Sequence, residues 1–225
     1  MKREIIITGD GSSTIHIPEW NEQYHSKHGA LQEAKHVFID MGLKPVLNRG
    51  GKAEISILEI GFGTGLNVLV TWEEAKKNDN SINYTGVEAY PVAKEEVEKL
   101  NFSEIIKDPL ALEFFSKIHE TNWESKYDIT NIFSLIKQQK FFQDIYDIEL
   151  YDLIYFDAFG ARVQPELWSV EIFKKMYEAL KNNGVLVTYA AKGSVRRAMI
   201  EVGFFVERLP GPPGKREMLR ATKKL

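Results

Sequence analysis

From residue 55 onward, short apolar runs alternate with amphipathic helical patterns, and few folds accommodate that alternation. The runs are ISILEI (55–60), INYTGVE (82–88), IFSLIK (132–137), DLIYF (152–156) and VLVTYA (185–190). Helical patterns fall between them at about 66–77, at 91–100 with Pro91 in the first turn, at 169–180 behind Ser169 as N-cap, and at 194–202 ahead of Gly203. Successive β–α units of this kind build a mostly parallel sheet covered on both faces. Two further runs, 204–209 and 217–223, are joined by PGPPGKR, which is too short for a crossover helix, so they pair antiparallel. The expectation is an α/β fold with a seven-stranded, Rossmann-like sheet: five parallel strands and a terminal antiparallel hairpin.

The first fifty residues do not share this repeat. Ile5 and Ile7, a Gly9-Asp10-Gly11-Ser12 turn, then Ile15 and Ile17 predict a β-hairpin. Leu31, Ala34, Phe38 and Met41 predict a helix that Gly42 ends. The division is therefore an extension over 1–50 and a main domain over 51–225. Residues 101–131 carry no clear period and are expected to be helices and loop over one sheet edge.

Composition excludes several classes. With 44% apolar and 12% aromatic residues the chain can fill a core, yet no stretch approaches the ~20 apolar residues of a membrane span. Cysteine is absent, which removes disulfides and thiolate metal sites. The five histidines, 16, 25, 28, 36 and 119, lack ligand spacing, so no metal is expected. The N-terminus has no signal-peptide apolar region, and the expected location is the cytoplasm. Net charge is −3, but residues 192–225 hold nine Lys or Arg against three Glu, a local +6, leaving −9 on the rest. Such polarity suits docking of an anionic partner on the basic end, or a merely solvated face. Arg196 and Arg197 open one helix and Lys215 and Arg216 sit in the stiff turn before the last strand. If both pairs face one cleft mouth, they can straddle a nucleic-acid backbone.

The strongest local signal is LEIGFGTGLN, Leu58 to Asn67, following the first strand and opening a helix. Glycines 61, 63 and 65 allow a sharp turn and a close ligand approach, and helix-start N–H groups favour electron-rich atoms. Position 66 is leucine where a dinucleotide fingerprint needs its third glycine. Gly-x-Gly-x-Gly behind acidic Glu59 instead matches S-adenosylmethionine sites, with Glu88 at the second strand's end suited to two ribose hydroxyls. Asp157 ends the fourth strand, beside the first, and so faces the same cleft. Its alternative is a loop cap. Phe159 and Trp168 can stack on a planar base or serve as core.

GFGTGLN, the Asp157 loop through Pro165-Glu166-Leu167-Trp168, and SVRRAMIEVGF with GKREML together resemble the methyltransferase domain of the bacterial tRNA enzyme that makes 5-methylaminomethyl-2-thiouridine, in stand-alone form. The likeness spans roughly 4–222. It implies a seven-stranded S-adenosylmethionine-dependent methyltransferase sheet, methylation of the aminomethyl nitrogen of wobble uridine 34 in a tRNA anticodon loop, and a separate enzyme that supplies the aminomethyl uridine. By the same resemblance the glycine loop through Asn67 and Glu88 hold the cofactor, Asp157 sits at the reaction centre, and Lys215 and Arg216 lie near the substrate mouth. Relatives carry an acidic residue after the third strand as the adenine contact. Here Gln138 and Gln139 stand there, and the Gln139 carbonyl can accept the same hydrogen bond. The Tyr24–Ala30 stretch also resembles stand-alone members and is suited to covering the site. Relatives read Asp-Gly-Phe-Ala-Pro where this chain has 157–161 as DAFGA, without the stiffening proline. Two other activities share these motifs: methylation of a protein or small-molecule amine, and aminopropyl transfer of the spermidine-synthase type.

Overall fold

Side chains alternate across the central strands, and both faces are apolar, which explains a three-layer arrangement. In the computed structural model, which describes residues 2–50, 54–78 and 80–224, Ile55 and Ile57 point into one buried cluster while Leu58 and Ile60 point into another. These residues belong to β4 (Glu54–Ile60). Before it come β1 (Glu4–Ile7), β2 (Ser13–Ile17), the short β3 (Glu22–Gln23) and a long helix, α1 (30–47). After it come α2 (Leu66–Asn78), β5 (Ser81–Glu88), α3 (Lys94–Val97), α4 (Phe102–Ile105), α5 (Ala111–Glu120), β6 (Lys126–Thr130) and β7 (Phe133–Gln139). The chain then forms β8 (Tyr151–Phe156), α6 (Val170–Ala179), β9 (Leu180–Thr188), α7 (Gly193–Val202), β10 (Phe205–Pro210) and β11 (Glu217–Thr222).

The large sheet has the order β10-β11-β9-β8-β4-β5-β7-β6. Its five middle strands, β9 through β7, are parallel, and β11 pairs antiparallel with both β9 and β10. This is the expected α/β fold with eight strands in place of seven. The extra strand, β6, runs antiparallel along the outer edge of β7. Its residues KYDIT alternate, with Ile129 buried and Tyr127 packed against the core, but two apolar positions are too few for the run to stand out from the helices and loops around it.

The predicted caps hold where side chains make them. Ser169 accepts from the Ile172 N–H at the start of α6, and Gly203, at φ 112°, ends α7. Two helix predictions change. Residues 91–100 form only the single turn of α3, capped by a Glu96 carboxylate that accepts from the Ala93 N–H at 2.9 Å. The N-terminal helix runs through Gly42 to Leu47, with a π-helical stretch over Lys35–Leu43. Gly42 is a contact point rather than a stop: a Cβ there would lie 2.9 Å from Cγ2 of Val187, so the missing side chain lets α1 lie close on the sheet.

The predicted hairpin is present as β1 and β2, extended by β3 into a three-stranded antiparallel sheet. Asn101 fastens it to the main body, accepting from the Ser13 N–H at 2.8 Å and donating to the Gly11 carbonyl at 2.9 Å. The boundary expected between residues 50 and 51 adjoins 51–53, which lie outside the described residues. Among the described residues no helix is long and apolar enough to cross a membrane.

Candidate active site

The parallel register brings three strand ends together. Ile60 stands opposite Val87 on one side and Phe156 on the other, so Gly61, Glu88 and Asp157 emerge side by side. The Asp157 N–H donates to the Ile60 carbonyl at 2.9 Å, and the Gly61 and Phe62 N–H groups both donate to the Val87 carbonyl at 3.0 Å. Here the strands' carboxyl ends open on a cavity of about 1000 Å³, at the upper end of the range for small-molecule sites.

The glycine loop has one geometry that other residues tolerate poorly. Gly61, Gly63 and Gly65 have φ of 89°, 50° and 74°. A Cβ on Gly61 would lie 2.8 Å from the Asp157 carbonyl oxygen, so the loop can touch the Asp157 backbone only with glycine there. Glu88 closes the loop from the other side: its carboxylate accepts from the Gly63 N–H at 3.1 Å and the Tyr90 N–H at 3.0 Å. Beneath the loop, Thr64 joins two histidines, through its hydroxyl to His25 Nε2 at 2.7 Å and its carbonyl to His119 Nε2 at 3.2 Å. Burial lowers both imidazoles to about 4, so they are neutral at physiological pH.

Asn67, in the first turn of α2, links two carboxyl groups. Its Nδ2 donates to Glu59 Oε1 at 2.8 Å and to Asp157 Oδ2 at 2.9 Å, while its Oδ1 is buried with no protein partner. Glu59 is fully buried and lies behind the cavity wall, and burial pushes its carboxyl well above the usual range. Asp157 reaches the cavity. Burial, followed by the negative charge of Glu33, raises its carboxyl to about 7, against the Asn67 hydrogen bond and the positive charge of Lys215. A carboxyl poised there can change charge near neutrality.

The opposite wall comes from the N-terminal segment, including Trp20, Tyr24, His25 and Glu33. Phe159 meets Trp20 and Tyr24 edge-on, with centroids 5.6 and 5.0 Å apart. Arg162 ties the Asp157 loop to that segment, donating to the Trp20 carbonyl at 2.6 Å and to Glu22 at 2.8 Å. The Tyr24–Ala30 stretch thus contributes the wall from Tyr24 to His28.

Of the residues singled out in the sequence, Gly61, Gly63, Asn67, Glu88, Asp157, Phe159 and Lys215 meet in this cavity; Glu59 and Gly65 back it. Trp168 does not reach it. It is 5% exposed, packs against Phe156 and Phe173, and donates from its indole to the Phe159 carbonyl at 2.8 Å, holding the loop from behind. Gln139 is exposed opposite Glu88 in the β5–β7 register and lies outside the wall, to which Phe141, Phe142 and Gln143 contribute instead. Arg196, Arg197 and Arg216 also lie outside the wall. Sequence reasoning missed Glu33, Tyr189 and Lys192. The last two follow the carboxyl end of β9 and were accessible to the strand-end rule, whereas nothing local marks Glu33.

The cavity suits the cofactor expected from the sequence: a positive-φ glycine turn and a strand-end carboxylate line it, with Asn67 beside them. Among the described residues no group of three or more His, Asp or Glu is arranged to hold a metal ion. Comparison with known proteins agrees. Residues 93–224, more than half the chain, match the family model for S-adenosyl-L-methionine-dependent methyltransferases. The chain is 28% identical over 220 residues to the tRNA 5-methylaminomethyl-2-thiouridine biosynthesis bifunctional protein MnmC of Paracidovorax citrulli, covering 91% of this chain and 33% of that protein. The MnmC protein of Cupriavidus metallidurans is likewise 28% identical, over 96% of this chain and 33% of its own length. The chain thus spans about a third of these relatives. Among solved structures, MnmC2 of Aquifex aeolicus superposes with a TM-score of 0.81 at 24% identity, over 99% of this chain and 71% of that one. A probable spermidine synthase of Corynebacterium glutamicum gives 0.57 at 17%, over 98% and 76%. At these identities the structures speak for the fold alone, and the family match together with the glycine-loop cavity assigns the chain to the S-adenosyl-L-methionine-dependent methyltransferases.

Proposed function

We propose that this methyltransferase acts on a primary amine carried by a nucleic-acid base, the aminomethyl group of 5-aminomethyl-2-thiouridine at the tRNA wobble position. The observation that carries the reading is the pairing, in one cavity, of a carboxyl raised to about 7 with an aromatic wall of Trp20, Tyr24 and Phe159. Such a wall accepts a planar base, and anticodon-loop bases unstack at little cost. The names of the MnmC relatives support the same substrate class.

Gly61, Gly63, Asn67 and Glu88 are the residues that would hold S-adenosylmethionine, with the exposed Gln139 as an adenine contact only if its side chain turns inward. When bound, the cofactor supplies a methyl carbon whose bond to sulfur breaks as the amine lone pair forms the new bond, the electron pair remaining on sulfur. Asp157 takes the proton that the substrate ammonium loses to become the neutral amine that attacks, and Asn67 fixes the orientation of its carboxylate. Phe159 holds the base so that nitrogen and methyl meet in line. Trp168, though buried, serves this step by fixing the Phe159 backbone. Arg196, Arg197 and Arg216 belong to an outer docking face for the anticodon-loop backbone.

Residues 1–50 form an extension that completes the substrate side, and 51–225 form the methyltransferase domain. A tRNA substrate supports a location in the cytoplasm and a place downstream of a separate enzyme that installs the aminomethyl group. Incubation with labelled S-adenosylmethionine and tRNA lacking the final methyl, followed by nucleoside mass spectrometry, tests the reading. Label in 5-methylaminomethyl-2-thiouridine is expected. Label confined to protein or a free amine overturns it, as does turnover only with decarboxylated cofactor, the aminopropyl-transfer outcome.

A further inference from the structure

Lys215 stands in the turn between β10 and β11, and its ammonium is committed within the protein. It pairs with Glu33 Oε1 of α1 and lies 3.9 Å from the centroid of the Tyr189 ring. Glu33 is itself buried and accepts from the Ser26 N–H through Oε2 at 2.7 Å. The Tyr189 hydroxyl donates to the Ala158 carbonyl at 2.8 Å, one residue beyond Asp157. A continuous series of contacts therefore runs from the N-terminal segment through the terminal turn to the reaction centre: Ser26, Glu33, Lys215, Tyr189, Ala158. All but Ser26 and Ala158 present a charged, aromatic or phenolic group to the cavity that Asp157 shares.

We propose that the Glu33–Lys215 pair is a positioning device for Asp157, clasping the turn 211–216 to α1 so that one negative and one positive charge face the proton acceptor from the substrate side. Lys215 on this view is no phosphate ligand, since a residue held against Glu33 and Tyr189 must give up both to reach a backbone. The exposed Lys27 and Lys192, which line the same cavity and have no carboxylate partner among the described residues, are the cations free to meet RNA phosphates. The other ionisable groups facing Asp157 are Glu59 behind Asn67, Tyr84 of β5 and Tyr189 after β9. Neither member of the pair belongs to that inner set, so changing them alters the field without removing a direct partner of Asp157. Glu33 raises the Asp157 carboxyl and Lys215 lowers it, and the two effects partly cancel. The inference rests on the reading of Asp157 as proton acceptor.

The test is the titration of Asp157 in the full-length protein without cofactor or RNA, followed by carboxyl-carbon NMR with labelled aspartate and assigned by the signal lost in Asp157→Asn. Glu33→Gln is expected to lower the midpoint and Lys215→Met to raise it, each by roughly 0.5–1 pH unit, below the 1–3 of a directly contacting charge. The double variant returns close to the wild-type value and Lys215→Arg stays there. The pH profile of kcat/KM for methyl transfer moves in the same order. An unmoved midpoint in Lys215→Met with melting like wild type overturns the proposal, as do shifts of both single variants in one direction. If Glu33→Gln does not fold, Lys215→Met against Lys215→Arg decides alone. A flattened salt dependence of tRNA binding in Lys215→Met, with the midpoint unmoved, would make Lys215 a phosphate contact and overturn the clasp. Because the titration needs no tRNA, it reads out even if the substrate assignment above fails.

Discussion

The two halves of the cavity are built by different physics. The side proposed above for the cofactor is made of backbone: strand ends in parallel register and three glycines in the left-handed region, with Glu88 accepting from main-chain N–H groups. The side facing the N-terminal segment is made of side chains from three distant stretches, joined by an ion pair, edge-on rings and the Arg162 strap. Backbone geometry is set by the sheet and tolerates few residues, so it can be demanding without being tunable. Side-chain contacts are individually weak and can be exchanged, so the second half is where substrate choice can vary while methyl transfer is retained.

The sharpest challenge to that contrast falls where the halves meet. Asp157→Asn keeps the Asn67 neighbour and should bind S-adenosylmethionine normally while turnover drops by ~10²-fold or more, as when an acid–base group is removed. Wild-type turnover should rise with pH through about 7 as the carboxyl ionises. Because this folded-state value lies above that of an unfolded Asp, its stabilising contribution is complete below about pH 4. It is lost as pH rises toward about 7, so the melting temperature of the Asn variant should gain on wild type across that window. A pH-independent difference would mean that Asp157 is already ionised in the fold.

Gly63→Val probes the backbone half. Its φ of 50° and the Tyr24 ring carbon 3.2 Å from an added Cβ predict strain. At ~1–2 kcal/mol for a left-handed residue, cofactor affinity by calorimetry should fall about tenfold or more, with a melting decrease of roughly 2–8 °C. Normal affinity in a strained variant would remove the loop from the cofactor side.

Trp20→Ala probes the other half and should spare cofactor affinity. Loss of one stacking partner, worth ~1–3 kcal/mol, should raise KM for tRNA about fivefold or more. An equal loss for both ligands would erase the division of labour. The smallest effect is expected from Lys27→Ala and Lys192→Ala, each flattening the slope of log affinity against log salt by about 0.7, the single-strand value per phosphate. Salt titrations like wild type would show both to be merely solvated.

The same contrast explains what could be recognised from the amino acids alone. Glu59, Gly61, Glu88 and Asp157 lie at the ends of short continuous apolar runs, and the neighbour relation of β4 and β8 follows from the β–α order, so that half was legible. Glu33 and Lys215 are 182 positions apart, and no local pattern ties a glutamate in an amphipathic helix to a lysine in a turn. Trp168 was ambiguous because stacking platforms and core residues use the same side chain. Its indole hydrogen bond to Phe159 exists only once the loop has folded back. Gln139 was placed by its distance after the third strand, but the side chain at a strand end points to either face, and here it is exposed.

The position of β11 bears on how the molecule is made. In the order of synthesis β10 follows β9, yet in the sheet β10 touches only β11, which inserts between them. A nascent chain that has emerged as far as residue 210 therefore holds a β10 strand with no neighbour in the sheet and a β9 edge of unpaired amides, the surface through which sheets join to other chains. The ribosome needs on the order of a second to add the remaining residues of the hairpin at 5–20 residues per second. During that interval the reaction cavity also lacks Lys215. Chains that stop before residue 217 should for this reason be recovered as aggregates, while chains that pass 222 close the sheet and complete the cavity in one event.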